Sequence, residues 1–533
     1  MNDMKQIKLI SKGCAALEKN NLEKALEYFK KAYTDNGSYN AFIMYRISQI
    51  FNKLQIWVEE FHALCGAVRF LQLPNNKISK NFEYQIFGQL GQVCLKLGLN
   101  QYAAKNFYKA YQGCDNINSQ VPIFHSYIYS LVTMDNKPEK ILASMKEYKA
   151  LVHQAEKKQY IEQNFTTKRN NEKIHIAYIS PDFCNHVMYK FYYALLKLYD
   201  REQFYVSCIM VRDYRDRETE QLSQLVDNFL DLSKMDRKGM LEAIRGLSVD
   251  ILVDLAGLSA FSALPAFVHR IAPVQISGIG WMETTGLDEV DYLITDRYLD
   301  SEEASYIVEK PLYLTSSFCY YPNWKIAASD GTPCLKKGYV TFGIFNRVNK
   351  YTDSMIATWG KILDLVPNSV LLLNCRDFIN AKDRDFVLGR MNQNGISEQR
   401  IVIDSAHATA YMERYRDVDI ALDTYPYAGC STTFDALYMG VPVITLYGKR
   451  RSSRLGLSVL NNAGVGELAV ATADEYVERA VALANDWELL EILHKNLRTM
   501  LENSTAMDGR RYVREMEAQY KQVLAEAGSQ MTS

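Results

Sequence analysis

Short apolar runs that alternate with helical stretches constrain the fold of this chain most, and they come in two successive series. Each run has the length and composition of a buried strand, and each stretch between runs can hold a helix. Such alternation predicts parallel sheets covered by helices on both faces, with ligands beyond the carboxyl ends of the strands. We predict two doubly wound α/β domains, at 172–326 and 338–505. The predicted strands are 174–180, 205–211, 250–255, 274–279 and 292–295, then 340–345, 369–374, 400–403, 420–422 and 443–447.

The first part of the chain, residues 1–165, is predicted to be helical throughout and contains an internal repeat. One pattern of two small residues, an aromatic residue and another small residue occurs twice with the same spacing. The first copy is Gly13, Ala25, Phe29 and Ala32, and the second is Gly91, Ala103, Phe107 and Ala110. This pattern is typical of tetratricopeptide repeats, in which Gly and Ala let two helices approach closely and the ring fills the gap. Residues 40–73 fit a degenerate middle copy. The segment is either a short solenoid that binds a partner or peptide, or a helical cap on the rest.

Two further stretches complete the domain plan. The polar stretch Asn164–Lys173 marks the end of the helical part, and the loop-like stretch Ala327–Gly338 separates the two α/β domains. Residues 506–533 are predicted to form a C-terminal helix and tail, with the helix over Met507–Ala525.

Composition excludes several classes of protein. Lys and Arg total 61 against 62 Asp and Glu, and this balance argues against a nucleic-acid binder. No apolar run is long enough to span a membrane, and no apolar segment of a secretory signal follows Met1. The 10 cysteines are scattered without a CxxC pair, which argues against a zinc cage or a disulfide framework. We expect a cytoplasmic chain without a bound metal, and an oligomer or a partner subunit stays open.

Two short motifs follow the opening strands of the predicted α/β domains. In the first, Ser180–His186 (SPDFCNH), His186 can act as a base or a donor near neutral pH, and Asp182 can orient it. In the second, Phe345–Lys350 (FNRVNK), Lys350 suits a diphosphate because its ammonium can neutralise the charge of a leaving group. Taken alone, each side chain also has an ordinary structural interpretation. His186 can be a histidine whose hydrogen bonds are made within the fold, and Lys350 can be a surface lysine.

The strongest motif is Leu422–Gly440 (LDTYPYAGCSTTFDALYMG), in which a strand, a glycine turn and a helix follow one another. Hydroxyl side chains at the start of a helix, together with free N–H groups and the helix dipole, form an anion site. A plain helix cap is the alternative, but it leaves the two carboxylates and the glycine around one turn unexplained. Neither a Walker lysine motif nor a GxGxxG string is present, which weakens ATPase and dehydrogenase assignments. The candidate nucleotide-binding residues here are Asp423, Thr424, Tyr427, Gly429, Cys430, Ser431, Thr432, Thr433 and Asp435.

A basic loop, Gly448–Arg454 (GKRRSSR), follows the next predicted strand. Its four cations indicate either a phosphate contact, with Arg454 as the candidate, or an ordinary solvated loop. Asn346, in the lysine motif described above, is a further candidate for the nucleotide site.

Taken together and in order, these motifs resemble the protein O-GlcNAc transferase family. The strings SPDFCNH, APVQ, TTG, DYLITD and FNRVNK and the long glycine-turn motif carry the resemblance, which covers about 165–525 and is especially close to the plant SPINDLY branch and its bacterial relatives. The resemblance implies a GT-B pair of Rossmann-like domains behind tetratricopeptide-like repeats. It also implies an inverting, metal-independent transfer of a sugar from a nucleotide sugar to Ser or Thr of a protein.

The resemblance also assigns roles to individual residues. His186 corresponds to a cleft histidine near acceptor and sugar, and Lys350 to the lysine that holds the diphosphate. Ser431 and Thr432 correspond to the phosphate-binding hydroxyl pair, and Asp435 to the ribose-binding carboxylate. The chain departs from the family pattern at four places: Cys430 for a uridine-contacting histidine, Arg347 and Asn349 for Gln and Tyr, Trp281-Met282-Glu283 for an aromatic-Pro-Gly type of turn, and Leu258 for a His.

These departures leave the donor and the chemistry open. UDP-GlcNAc is the expected donor, with GDP-fucose or another nucleotide sugar as alternatives. An O-fucosyl or Asn-linked transferase of the same family remains an alternative, as does a non-catalytic partner subunit with a degenerate donor site.

Overall fold

The fold is known from a computed structural model, which describes residues 3–34, 37–157, 173–281, 283–301, 306–322, 325–378, 380–404 and 411–531. The helices among these residues are α1 (Asp3–Glu18), α2 (Leu22–Ala32), α3 (Asn40–Lys53), α4 (Trp57–Leu71), α5 (Lys80–Lys96), α6 (Asn100–Gly113), α7 (Ile117–Val132), α8 (Pro138–Glu156), α9 (Tyr189–Leu198), α10 (Arg217–Ser223), α11 (Arg237–Gly246), α12 (Cys334–Lys337), α13 (Asp353–Leu365), α14 (Ala381–Gln393), α15 (Ser431–Tyr438), α16 (Leu455–Asn462), α17 (Ala473–Asn485), α18 (Trp487–Glu502) and α19 (Gly509–Met531).

The strands are all short. They are β1 (Ile174–Ser180), β2 (Phe204–Met210), β3 (Asn228–Asp231), β4 (Ile251–Asp254), β5 (Val274–Ser277), β6 (Tyr292–Thr295), β7 (Lys310–Tyr313), β8 (Thr341–Ile344), β9 (Val370–Asn374), β10 (Ile401–Asp404), β11 (Ile420–Leu422), β12 (Val443–Leu446) and β13 (Ala469–Val470). Two compact units contain these elements. The first combines residues 1–135, 345–364 and 370–409, and the second combines 136–344, 365–369 and 410–533.

Every strand predicted from the sequence is present, and three strands escaped prediction. β3 and β7 are the outer strands of the first sheet, whose order is β3-β2-β1-β4-β5-β6-β7. Edge strands are not covered on both sides, so β3 (NFLD) and β7 (KPLY) lack the continuous apolar pattern of the inner strands. β13 has two residues, too few for any periodicity.

The second unit contains the whole first sheet, in which all strand pairings are parallel. All seven residues of β1 are buried, as expected for a strand covered on both faces. The same unit holds β8, β11, β12 and β13, paired in parallel in that order. In this unit α19 returns to the first sheet, where the Tyr520 hydroxyl lies 3.2 Å from that of Tyr178.

The first unit contains the helical repeats, and the two predicted copies make the same internal contact. A Cβ on Gly13 would come within 2.7 Å of Phe29, and a Cβ on Gly91 within 2.7 Å of Phe107. Both rings are buried, a gain of roughly 1.5–3 kcal/mol each. The helices α3 and α4 form the hairpin expected of the middle copy. This unit also holds α13, α14 and the parallel pair β9 and β10.

Three findings bear on the remaining expectations. The junction expected near 164–173 falls mainly on 158–172, outside the described residues, so the domain boundaries stay predictions. None of the ten cysteines, all of which are described, forms a disulfide. Across the described segments, no helix combines the length and apolar character that crossing a bilayer requires.

Candidate active site

The first candidate group follows β1, where Asp182 and His186 lie side by side. The Asp182 N–H donates to Ser180 Oγ at 3.0 Å, and the Tyr192 hydroxyl donates to the Asp182 carbonyl. His186 Nδ1 accepts a hydrogen bond from the Met188 N–H at 3.4 Å and lies 3.6 Å from Asp182 Oδ2. Asp182 is thus close to the ring that the sequence predicts it to orient, and the role of the pair stays a prediction.

Burial controls the protonation of this pair. It lowers the pKa of His186 below its ordinary value, with Asp182 opposing the shift and Arg212 adding to it. Burial also raises the pKa of Asp182, although the charges of His186 and Arg212 act the other way. The lowered pKa favours the neutral imidazole, the form that can accept a proton.

Sequence reasoning missed Asp254, whose pKa is raised by burial and, less strongly, by the charge of Asp182. It ends β4 and is buried, and its carboxylate accepts hydrogen bonds from the N–H groups of Ala256 (3.1 Å) and Gly257 (2.8 Å) and from Ser277 Oγ (2.6 Å). Gly257 has φ +55°, and a Cβ there would come within 2.0 Å of Trp281 Cβ. Asp254 thus shapes the turn that packs against Trp281. The sequence could have indicated Asp254, because it is a carboxylate at the end of an apolar strand.

The glycine turn after β11 is held by Asp423, one of the predicted site residues. Its Oδ1 accepts hydrogen bonds from the N–H groups of Thr424 (2.8 Å) and Gly429 (2.7 Å), and its Oδ2 accepts one from Thr445 Oγ1 (2.7 Å). Gly429 has no room for a side chain, because a Cβ would lie 2.3 Å from Thr432 Oγ1. Asp423 and Gly429 therefore build the turn, and Thr424 adds a hydrogen bond to the Tyr427 carbonyl at 2.9 Å.

The start of α15 follows this turn and combines half-buried and buried hydroxyl residues. Cys430, Ser431 and Thr432 are half-buried, as is Tyr427, while Thr433 is buried and donates to the Gly429 carbonyl at 3.2 Å. The first N–H groups of a helix have no partner within the helix, and the dipole favours an anion there. The helix predicted to begin at these hydroxyl residues is present, and their phosphate-binding role stays a prediction.

Asp435, predicted to bind ribose, lies in a buried ion pair. Lys190 on α9 donates to its Oδ1 at 2.5 Å, and the Tyr320 hydroxyl donates to the same oxygen at 2.8 Å. Ser431 Oγ donates to Oδ2 at 3.3 Å. The side chains of Lys190 and Asp435 are 7% and 3% exposed. Sequence reasoning missed Lys190 and Tyr320. Lys190 could have been found, because a lysine within the apolar run that opens α9 indicates a buried charge that needs a partner.

The basic loop after β12 is largely buried, so the solvated-loop alternative fails for two of its four cations. Arg450 and Arg451 are 3% and 1% exposed. Arg451 pairs with Asp300 and donates to the Ile294 carbonyl at 3.3 Å. Arg454 is half-buried and donates to the carbonyls of Tyr298 (2.8 Å) and Gly448 (3.1 Å). Arg454 therefore holds the loop through two backbone contacts.

The lysine loop, Phe345–Lys350, belongs to the first unit, whereas the other predicted site residues belong to the second. Val348–Lys350 form one 3-10 turn, with Lys350 half-buried. The buried Asn346 accepts a hydrogen bond from the Tyr351 hydroxyl on its carbonyl at 2.9 Å. Arg347 pairs with Asp377 at 3.2 Å, and this carboxylate raises the pKa of Arg347.

A cavity of about 590 Å³ lies among α1, α3 and α5 of the helical repeats in the first unit. Carboxamide and cationic side chains dominate its lining, among them Arg46, Gln49, Asn52, Gln89, Gln92 and Lys96. Burial lowers the pKa of Lys96, whose ammonium lies 3.5 Å from the centre of the Trp57 ring. Amides of this kind can pair with peptide groups.

Comparison with known proteins places these motifs in a family. A model of the family described as "Glycosyl transferase family 41" matches residues 116–323 and 322–516. A Hordeum vulgare protein described as a probable UDP-N-acetylglucosamine–peptide N-acetylglucosaminyltransferase SPINDLY is 36% identical over 358 residues, which are 65% of this chain and 38% of that protein. The Arabidopsis thaliana protein described as SEC is 30% identical over 366 residues, 66% of this chain and 37% of that protein.

The chain thus spans just under two fifths of the length of these plant relatives. In fold, it is similar to a Thermobaculum terrenum O-GlcNAc transferase mutant, with a TM-score of 0.83, 23% identity and full coverage of both chains. That likeness confirms the predicted fold, a helical repeat segment with two Rossmann-like parallel-sheet domains of the GT-B type. The family predicted from the motifs is also confirmed: the chain belongs to glycosyl transferase family 41.

Proposed function

We propose that this chain is an inverting, metal-independent glycosyltransferase that moves GlcNAc from UDP-GlcNAc to Ser or Thr hydroxyls of a protein. The observation that carries the proposal is the glycine turn of Asp423 and Gly429 leading into the hydroxyl-lined start of α15. The names of the relatives, which describe peptide N-acetylglucosaminyltransferases, support the donor and the acceptor class. The amide-lined cavity in the repeats supports a peptide acceptor held there.

In the proposed mechanism, an acceptor hydroxyl attacks the sugar C1 in line as the nucleoside diphosphate leaves. The start of α15 stabilises the charge that develops on the leaving diphosphate, the role that the family resemblance also assigns to the Lys350 ammonium. Tyr427 offers a half-buried ring on which a base or sugar can stack. Much of the rate gain comes from holding donor and acceptor in a reactive orientation.

His186 is the proposed base or orienting group for the acceptor, and the pH dependence of kcat/KM tests it. Because burial lowers the pKa of His186, its neutral form persists below pH 6.5, and activity is lost only as pH falls through that lowered pKa. The acid limb belongs to the His186–Asp182 pair jointly. We expect His186→Ala to lower kcat/KM by about 10²–10⁴-fold and to remove this limb. An acid limb unchanged in the variant would contradict the assignment.

A thermal-shift panel of UDP, GDP, UDP-GlcNAc and GDP-fucose tests the donor. A ligand present at about a hundred times its Kd adds about 2.7 kcal/mol to the free energy of unfolding. We expect UDP and UDP-GlcNAc to raise Tm and GDP and GDP-fucose to leave it unchanged. A shift with the guanosine ligands alone would instead support an O-fucosyltransferase. Mass spectrometry of the modified acceptor then distinguishes Ser or Thr from Asn.

The ion pair of Asp435 favours one competing function. Lys190 and Tyr320 both donate to Asp435 Oδ1, so the carboxylate assigned to ribose is already engaged. This arrangement is the one expected of a partner subunit with a degenerate donor site. Hydrolysis of a nucleotide sugar without acceptor discriminates, since a degenerate site gives neither hydrolysis nor a thermal shift with any nucleotide.

A further inference from the structure

The helical repeats hold the lysine loop directly, within the first unit. Asn100, the first residue of α6, donates from Nδ2 to the Asn349 carbonyl at 2.8 Å. The Asn349 side chain in turn donates from Nδ2 to the Tyr129 hydroxyl of α7 at 3.0 Å. Asn349 is the neighbour of Lys350 and one of the places where this chain departs from its family's pattern. Asn349, one of the two departures in this loop, is thus in direct contact with the repeats.

The orientation of the Asn100 amide follows from its surroundings. Besides the Asn349 carbonyl, Nδ2 faces the Thr133 carbonyl at 3.4 Å, so a flipped amide would place its oxygen against two acceptors. Asn100 is 6% exposed, and its Oδ1 has no hydrogen-bond donor among the residues that the structure describes. An unmatched buried oxygen is unfavourable. The Asn100 amide thus holds the lysine loop through Nδ2 while its Oδ1 stays without a hydrogen bond from the described residues.

The turn between α5 and α6 touches the loop at a second place. Gly98 has φ +72°, and a Cβ there would come within 2.7 Å of the Val348 carbonyl. Arg390 of α14 donates to the Leu97 carbonyl at 3.1 Å and to the Tyr351 carbonyl at 3.0 Å. Contacts to the repeats therefore act on both sides of Lys350 along the chain.

We propose that Asn100 and Tyr129 are positioning residues, through which the repeats set the place of Lys350 for the donor diphosphate. The inference rests on the proposed function in taking Lys350 as the lysine that binds the diphosphate and UDP as the nucleotide of the donor. Because the ammonium is a point charge, its effect depends on distance, and a displacement of about 1 Å can cost about 10²-fold in rate. The repeats then belong to the catalytic apparatus even for acceptors that never touch them.

Asn100→Asp tests the proposal, because it keeps the shape of the side chain and replaces its donor with an acceptor. We expect kcat to fall at least about 10-fold and the affinity for UDP to fall by a similar factor, while the affinity for UMP stays the same. This split is expected because UMP carries only one of the two phosphates that Lys350 is assigned to hold. The matched control is Asn106→Asp, the same change at a half-buried position of the same helix, where the amide donates to the Tyr102 carbonyl. We expect it to change neither affinity.

Tyr129→Phe, a milder change, keeps the test decisive if Asn100→Asp does not fold. It removes the acceptor of the Asn349 amide and is expected to give the same split with a smaller amplitude. Equal losses of UDP and UMP affinity, or unchanged kcat and UDP affinity in a folded variant, would overturn the inference. In the Lys350→Ala background, Asn100→Asp should cause no further loss of UDP affinity.

The same background distinguishes the two possible failures. If Lys350→Ala itself leaves UDP affinity and transfer intact, the assigned role of Lys350 fails. If Lys350→Ala is inactive while Asn100→Asp and Tyr129→Phe match the wild type, only the positioning role of the repeats fails.

Discussion

Replacing Lys350 with alanine is expected to lower kcat by roughly 10²–10³-fold, the usual effect of removing one preorganised group that stabilises developing charge. The side chain is half-buried, and the backbone contacts of its loop do not depend on it: the Lys350 N–H donates to the Arg347 carbonyl at 2.9 Å and persists in the variant. We therefore expect an unchanged Tm. Transfer of labelled sugar to acceptor, measured with saturating donor, is the assay.

Lys361→Ala is the matched control for this prediction, since it removes an exposed lysine from α13 in the same unit. We expect it to leave kcat within about twofold of the wild type, because a screened surface charge contributes little. Lys350→Arg should recover only part of the activity, as a planar guanidinium does not occupy the place of an ammonium. Near-normal transfer by Lys350→Ala would refute the role assigned to this residue.

The largest expected effect on stability comes from Lys190→Met. Removing one partner of a buried ion pair leaves an uncompensated charge, at a cost of about 3–5 kcal/mol in the free energy of unfolding. The side chains of Lys190 and Asp435 are 7% and 3% exposed, so solvent cannot replace the lost partner. Urea unfolding followed by circular dichroism measures the change.

Two further variants define what the Lys190 result means. Lys197→Met removes an exposed lysine from the same helix, and we expect a change within about 0.5 kcal/mol. Adding Asp435→Asn to Lys190→Met should recover part of the lost stability, because the unpaired charge disappears. If Lys190→Met is as stable as the wild type, Asp435 has another compensating partner, and the pair described here does not stabilise the fold.

How much of the fold was predictable depends on burial. β1, β6 and β11 have the predicted bounds, since strands covered on both faces show continuous apolar runs. The repeat glycines Gly13 and Gly91 were also predictable. Each packs against an aromatic ring that leaves no room for a side chain, so both copies have a glycine at this position. The edge strands β3 and β7 were not, since strands at the rim of a sheet need no such pattern.

The candidate site shows the same division at the level of single residues. The order of the motifs indicated the family. The local sequence indicated the helix start at Ser431 and the proximity of Asp182 to His186, because both depend on neighbours along the chain. Lys190 and Asp435 are 245 residues apart in sequence, and no local pattern relates them. The same holds for Asn100 and Asn349, which are 249 apart.

The sequence by itself therefore determined the two α/β domains, the helical repeats, the family and the residues that carry the proposed chemistry. The tertiary structure alone decided how they are engaged: Asp423 holds its own turn, Asp435 pairs with Lys190, and the loop of Lys350 is held by Asn100, which no motif singled out. The physical reason is that strand, helix and turn preferences act over a few residues. A buried charge or amide, in contrast, is satisfied by whatever group the completed fold brings within about 3 Å.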